Sequence, residues 1–138
     1  MKVKTGGCLC GEIKFEVSGD PVLAMECHCG ACQKSCGGHA APILVFPKPA
    51  LKILQGEMAE FTSDADSGNT VTRQFCSTCG TPMMSKLSAN PDLAVIKVGA
   101  FDDASDFDPQ MVFWTSTAQP WAHIPDGTMQ FPQNPPAS

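Results

Sequence analysis

A chain of 138 residues is the size of one domain and can bury roughly two-thirds of the surface that its unfolded form exposes. Nine Lys and Arg against fourteen Asp and Glu leave a net charge of −5, so there is no broad basic field to hold nucleic-acid phosphates. With 43% apolar and 17% charged residues the chain is neither disordered nor collagen-like, and no apolar run approaches the ~20 residues that span a bilayer. The opening Met1-Lys2-Val3-Lys4-Thr5 leads into no apolar signal-peptide core, so a soluble cytoplasmic domain is expected, without nucleic-acid or membrane partners.

The first elements in chain order are a cysteine pair, Cys8 and Cys10, and a strand. Residues Glu12 to Val17 alternate, with Ile13, Phe15 and Val17 on one face and Glu12, Lys14 and Glu16 on the other. Cys27, Cys29, Cys32 and Cys36 follow, with a helical turn expected over Gly30 to Ser35. Short strand-like runs then span Pro42–Phe46, Leu51–Leu54, Glu57–Thr62, Thr70–Phe75, Pro82–Leu87, Leu93–Val98 and Met111–Ser116, separated by Gly, Pro, Asp and Asn clusters. Thr70–Phe75 delivers the last pair, Cys76 and Cys79. A second helical turn is expected near Asp102–Asp106. The pattern predicts a mainly β, mostly antiparallel single domain over residues 1–131, followed by an irregular tail over 132–138.

Eight cysteines are too few for a disulfide-built mini-protein of this length, and a reducing compartment argues for metal instead. Zinc–sulfur bonds of about 2.3 Å in a tetrahedron place neighbouring sulfurs about 3.8 Å apart, whereas residues i and i+2 of a straight strand lie about 6.7 Å apart. Both C-x-C pairs are therefore expected on bends, and Gly11, Gly30 and Gly80 follow the cysteines where a backbone without Cβ can turn its amides towards thiolates. A closed structural site takes four protein ligands, and a catalytic one commonly takes three. If Cys8 and Cys10 join Cys76 and Cys79, the metal ties the N-terminus to mid-chain. The role of Cys36 then decides whether Cys27, Cys29 and Cys32 form an open or a closed site, and spacing alone leaves both readings.

Gly7-Cys8-Leu9-Cys10-Gly11, Cys27-His28-Cys29-Gly30-Ala31-Cys32 and Phe75-Cys76-Ser77-Thr78-Cys79-Gly80 resemble, in order and separation, the motifs of the glutathione-dependent formaldehyde-activating enzymes, a family shared with centromere protein V. Pro120-Trp121-Ala122-His123-Ile124 looks like the C-terminal segment of that family. The resemblance implies a zinc-stabilised fold of several small antiparallel sheets and two zinc ions. It implies a structural zinc on Cys8, Cys10, Cys76 and Cys79, and a second zinc on the catalytic residues Cys27, Cys29 and Cys32, with a position open to substrate. It further implies a carbon–sulfur lyase acting on glutathione adducts, with glutathione as co-substrate and formaldehyde as the small carbonyl. Cys36 lies outside the motif. The alternative is a zinc-stabilised thiol-binding or redox-sensing module without turnover.

The chemistry of the residues agrees with a thiol substrate: three thiolates make zinc a weak Lewis acid, better suited to holding a thiol ionised than to activating water. Other polar side chains have plainer readings. His28 is expected to point away from a metal held by its neighbours, in a supporting or exposed role. His39 is a general-base candidate or a loop histidine, and His123 beside Trp121 bounds a pocket or sits on a surface turn. Arg73 and Lys34 are candidates for a glutathione carboxylate, or solvated charges. Met83, Met84, Phe46, Phe75, Phe101, Phe113 and Trp114 read as core.

Overall fold

Period-two alternation dictates the first layer. Ile13, Phe15 and Val17 are 1%, 0% and 1% exposed, while Lys14 on the opposite face is open to solvent. In the computed structural model, which describes residues 2–135, this strand is β2 (Lys14–Ser18). It lies between β1 (Val3–Gly7) and β5 (Leu51–Gln55) in an antiparallel three-stranded sheet.

The second sheet has eight strands. In spatial order they are β11 (Met129–Gln130), β10 (Met111–Phe113), β3 (Leu23–Cys27), β4 (Ala41–Pro47), β9 (Leu93–Lys97), β8 (Pro82–Leu87), β7 (Thr70–Phe75) and β6 (Ala59–Asp64). The central pairs are antiparallel, and β10 departs from the antiparallel expectation by running parallel to both β3 and β11. Its neighbours are distant in sequence, so no hairpin constrains its direction. Among the described residues no helix is long and apolar enough to cross a membrane.

The two faces of the large sheet have different tasks. Ala24, Leu44, Phe46, Met84, Ala94 and Ile96 face the small sheet and build the main core with Ile13, Phe15 and Val17. Phe15 and Phe101 meet edge to face at 5.4 Å between ring centroids. Burial of each such large side chain contributes roughly 1.5–3 kcal/mol. Across the sheet, Met25, Ile43, Val45 and Val95 pack with Cys27 and Cys32 under α1 (Gly30–Cys36), the single α-helix among the described residues. Cys29 caps α1, its sulfur accepting from the Cys32 amide at 3.3 Å, and Gly37 closes the helix at φ +66°.

Some expectations shift. No helix forms over Asp102–Asp106: the Asp103 carboxylate accepts from the Ser105 amide at 2.9 Å, a local side-chain bond that competes with helix, and a 3-10 turn lies instead at Val98–Ala100. The Met111 run stops at Phe113 because Trp114 adopts a left-handed φ of +62°. β1 and β3 were not expected as strands. β1 is rich in glycine, and β3 is buried on both faces, so neither alternates. Within the stretch read as an irregular tail, the carbonyls of Pro132 and Gln133 and the side chain of Asn134 accept hydrogen bonds from residues 114–116. Its last three residues, 136–138, lie outside the described residues.

β1 joins the rest of the core through a bridge between Gly6 and Phe101, with no room for a side chain at residue 6. A Cβ there would lie 2.4 Å from both the Ala100 carbonyl oxygen and the Phe15 ring. Gly6→Ala is expected to lower stability by about 1–3 kcal/mol. Gly99→Ala, at a site with nothing within 4 Å of the new methyl, should leave it nearly unchanged. Thermal and denaturant unfolding of both variants checks this, and equal melting of the two would contradict the packing of β1 described here.

Candidate functional site

Each cysteine pair leaves its strand on a turn. After β1, Gly11 at φ +84° turns the chain so that its amide reaches the Cys8 carbonyl at 3.1 Å, and the Ile13 amide donates to Cys8 Sγ at 3.3 Å. After β7, Gly80 at φ +78° does the same with the Cys76 carbonyl at 2.9 Å, while the Thr78 and Cys79 amides both lie 3.4 Å from Cys76 Sγ. The expected aim of backbone amides at sulfur is therefore present at these two turns. Gly30 differs, because it opens α1 without a positive φ.

The two turns meet. The sulfurs of Cys8, Cys10, Cys76 and Cys79 lie within 4.8 Å of one another, Cys8 to Cys10 at 3.6 Å and Cys10 to Cys76 at 3.7 Å. These edges match the about 3.8 Å of a zinc–thiolate tetrahedron, so the four-sulfur set fits a soft metal ion. Thr81, which sequence reasoning passed over, locks the two turns together. Its hydroxyl accepts from the Leu9 amide at 3.0 Å and lies 3.1 Å from Cys79 Sγ, where it is the main cause that lowers the Cys79 thiol to about 5. Cys8 and Cys76 are buried in the main core, so this set sits at the end of the layer between the sheets.

The second set lies on the opposite face of the large sheet. The sulfurs of Cys27, at the end of β3, and of Cys29 and Cys32, at the start of α1, also lie within 4.8 Å of one another. Cys36 belongs to neither set and packs as a half-buried thiol beneath α1. Hydrogen bonds from Cys27 and Cys32 pull the Cys29 thiol down to about 2 against the effect of burial, helped by the Cys32 amide and the charge of Arg73. The hydrogen bonds to Cys29 and Cys32, with burial, push Cys27 far up. Three sulfurs, two of them on buried residues, thus hold one negative charge readily, and further ionisation calls for a cation between them. That chemistry fits a metal held by three thiolates.

The surroundings of the second set hold surprises. His28 is fully buried rather than exposed, with Nε2 3.3 Å from a Glu26 carboxylate oxygen and Nδ1 without a hydrogen-bond partner among the described residues. Its backbone is clamped: the amide donates to the Phe113 carbonyl at 2.9 Å, and the carbonyl accepts from Gln33 Nε2 at 2.7 Å and the Thr117 hydroxyl at 3.0 Å. These bonds hold the peptide between Cys27 and Cys29 in place. The exposed His39 ring lies between those of His28 and Trp121, at 5.6 and 6.1 Å. His123 and Lys34 are exposed and join neither set.

Arg73, on β7, is half-buried and donates to the Ser63 hydroxyl at 3.0 Å. Lys97, at the end of β9, is only 6% exposed and was missed by the sequence reading. The signal was present, since Leu93, Val95 and Lys97 alternate onto one face and so place a lysine where the face is buried.

The fold and the cysteine sets agree with comparisons to known proteins. The chain is similar to a crystal structure of a Rhodobacter sphaeroides protein, solved as a structural-genomics target, with a TM-score of 0.59 at 20% identity. The match covers 74% of this chain and 91% of that one and extends to the fold. Residues 3–117, which contain every cysteine of both sets, match the family model described as glutathione-dependent formaldehyde-activating enzyme. The chain belongs to the glutathione-dependent formaldehyde-activating enzyme family.

Proposed function

We propose that the chain is a zinc-dependent carbon–sulfur lyase that interconverts glutathione plus formaldehyde with S-hydroxymethylglutathione. Membership of the family supports the substrates. The observation that carries the reaction type is the inequality of the two cysteine sets, four sulfurs in one and three in the other. Four thiolates complete a tetrahedron, whereas three leave one corner for a substrate sulfur.

Cys8, Cys10, Cys76 and Cys79 would hold a structural zinc, and Cys27, Cys29 and Cys32 a second one. When bound at the three-cysteine set, zinc supplies the positive charge that keeps a substrate thiol ionised at neutral pH. The protein's own part is placement. The clamped His28 peptide and the cap of α1 fix the three sulfurs before substrate arrives, which limits the ordering that binding must supply. In the forward direction the glutathione sulfur forms a bond to the formaldehyde carbon, the carbonyl π pair moves to oxygen, and that oxygen takes up the proton released by the thiol. The reverse direction breaks the same carbon–sulfur bond. The net charge of −5 becomes more negative once seven thiolates surround two dications, which supports small-molecule partners rather than nucleic acid.

The two sets should separate in experiment. Cys76→Ser is expected to lose one zinc per chain and to melt far below the parent, because structural zinc contributes on the order of 10 kcal/mol in small domains. Cys29→Ser should lose the other zinc and melt close to the parent. Zinc content by elemental analysis with paired thermal unfolding checks the assignment, and a Cys76→Ser protein that melts like the parent contradicts it.

Cys32→Ser should abolish glutathione-dependent formation of S-hydroxymethylglutathione, measured above the uncatalysed background by NMR, while the chain stays folded. A folded, two-zinc parent with no rate above background would favour the thiol-binding module instead. Reversible zinc loss with a new disulfide would favour a redox sensor.

A further inference from the structure

A pocket of about 200 Å³ opens between α1 and the strands β6 to β9. Its wall is shared among Ser35 on α1, Gly80 next to the four-cysteine set, Phe61 and Phe75, and two cations, Arg73 and Lys97. The cations come together by register. Phe61, Arg73, Ser85, Val95, Val45 and Leu23 are successive cross-strand partners on one face of the large sheet. Lys97 lies two residues beyond Val95 on that same face, opposite Ile43, whose own partner Met25 precedes Cys27 by two. Both charges therefore stand on the face that carries Cys27.

Neither cation is paired. The ion pairs among the described residues join Lys4 to Asp106, Lys86 to Glu60 and His28 to Glu26. Arg73 spends one hydrogen bond on Ser63, and its Nε is buried with no partner. A lysine 6% exposed and a guanidinium with an orphaned buried nitrogen are expensive to keep in a protein with no use for them. Ser35, three residues after Cys32 on α1, lines the pocket with them, which brings both cations alongside the helix that Cys29 caps and Cys32 belongs to.

We infer that Arg73 and Lys97 form a carboxylate subsite beside the three-cysteine set, and that the protein selects thiols carrying a carboxylate over neutral ones. The inference rests on the proposed binding of a substrate thiol at Cys27, Cys29 and Cys32, and it deepens that reading by assigning the groups that hold the rest of the molecule. Arg73 offers unshared N–H donors, and Lys97 offers an ammonium on a side chain already largely buried in the free protein. Phe61 and Phe75 supply apolar wall for the methylene carbons between sulfur and carboxylate. Lys34, the other cation that sequence reasoning paired with glutathione, is exposed and does not line the pocket.

The long-range field makes the test discriminating. The chain is net negative, so nonspecific electrostatics favours a thiol whose carboxylates have been esterified, and only a local subsite reverses that preference. Protein loaded with cobalt(II) is titrated with glutathione and with glutathione diethyl ester, following the sulfur-to-metal absorption. Calorimetry on the zinc protein gives a second reading. Glutathione is expected to bind at least tenfold more tightly than the ester, and Lys97→Met and Arg73→Gln should each bring the two affinities towards equality. Equal affinities in the unaltered protein overturn the subsite and leave the thiol site standing. An absence of binding by either thiol overturns both. The comparison of ligands needs no variant, so a Lys97→Met chain that fails to fold leaves the result readable.

Discussion

The convergence of two turns, one after β1 and one after β7, is the constraint on which the rest of the structure depends. Cys10 and Cys76 are 66 residues apart in sequence and 3.7 Å apart at sulfur. Bringing them together closes a long loop, and each doubling of a loop adds only about 0.6 kcal/mol of closure cost, so a tight set of sulfur ligands offsets it easily. The junction also seals the open end of the layer between the sheets, where Cys8 and Cys76 are buried beside Ile13, Phe15 and Met83. Without that anchor the three-stranded sheet would be held by apolar contact and by the ties of β1 to the segment after the Val98–Ala100 turn: the Gly6–Phe101 bridge, Thr5 with Asp102 and Lys4 with Asp106.

Once the small sheet covers one face of the large sheet, the other face is left for chemistry. Among the described residues one short α-helix lies on it, and that helix begins at the peptide that carries Cys29. Cys29 serves twice, as the cap of α1 and as a member of the three-sulfur set. The geometry of the set is thereby tied to the formation of the helix. The parallel strand β10 completes the support, since its Phe113 carbonyl accepts from the His28 amide and the Thr117 hydroxyl beyond it donates to the His28 carbonyl. The strained Trp114 backbone, at φ +62°, directs the chain from one contact to the other.

The charges divide between the same two faces. Glu60 is held below the usual carboxylate range by Lys86, and Asp106 by Lys4, both at the exposed surface where such pairs contribute little. Arg73 and Lys97 stand apart from these pairs and line one pocket on the face of the large sheet that carries Cys27. A negative protein thus carries a local positive patch on that face, and a short-range field of that kind acts within a Debye length, where the net charge has little influence.

Sequence alone determined the strands that alternate, above all Ile13, Phe15 and Val17, and the division of cysteines into groups. Both are local: alternation follows from the pleat, and ligand spacing from the reach of a turn. It also determined the family, because the three motifs keep their order along most of the chain. Tertiary structure decided which groups meet, that Cys36 stands aside, and that His28 is buried rather than exposed. It also decided the meeting of Arg73 with Lys97, since cross-strand register is a property of pairs of strands and has no mark in either strand by itself. The same holds for β3 and β10, whose pairing rests on hydrogen bonds between segments more than 80 residues apart, as at His28 and Thr117.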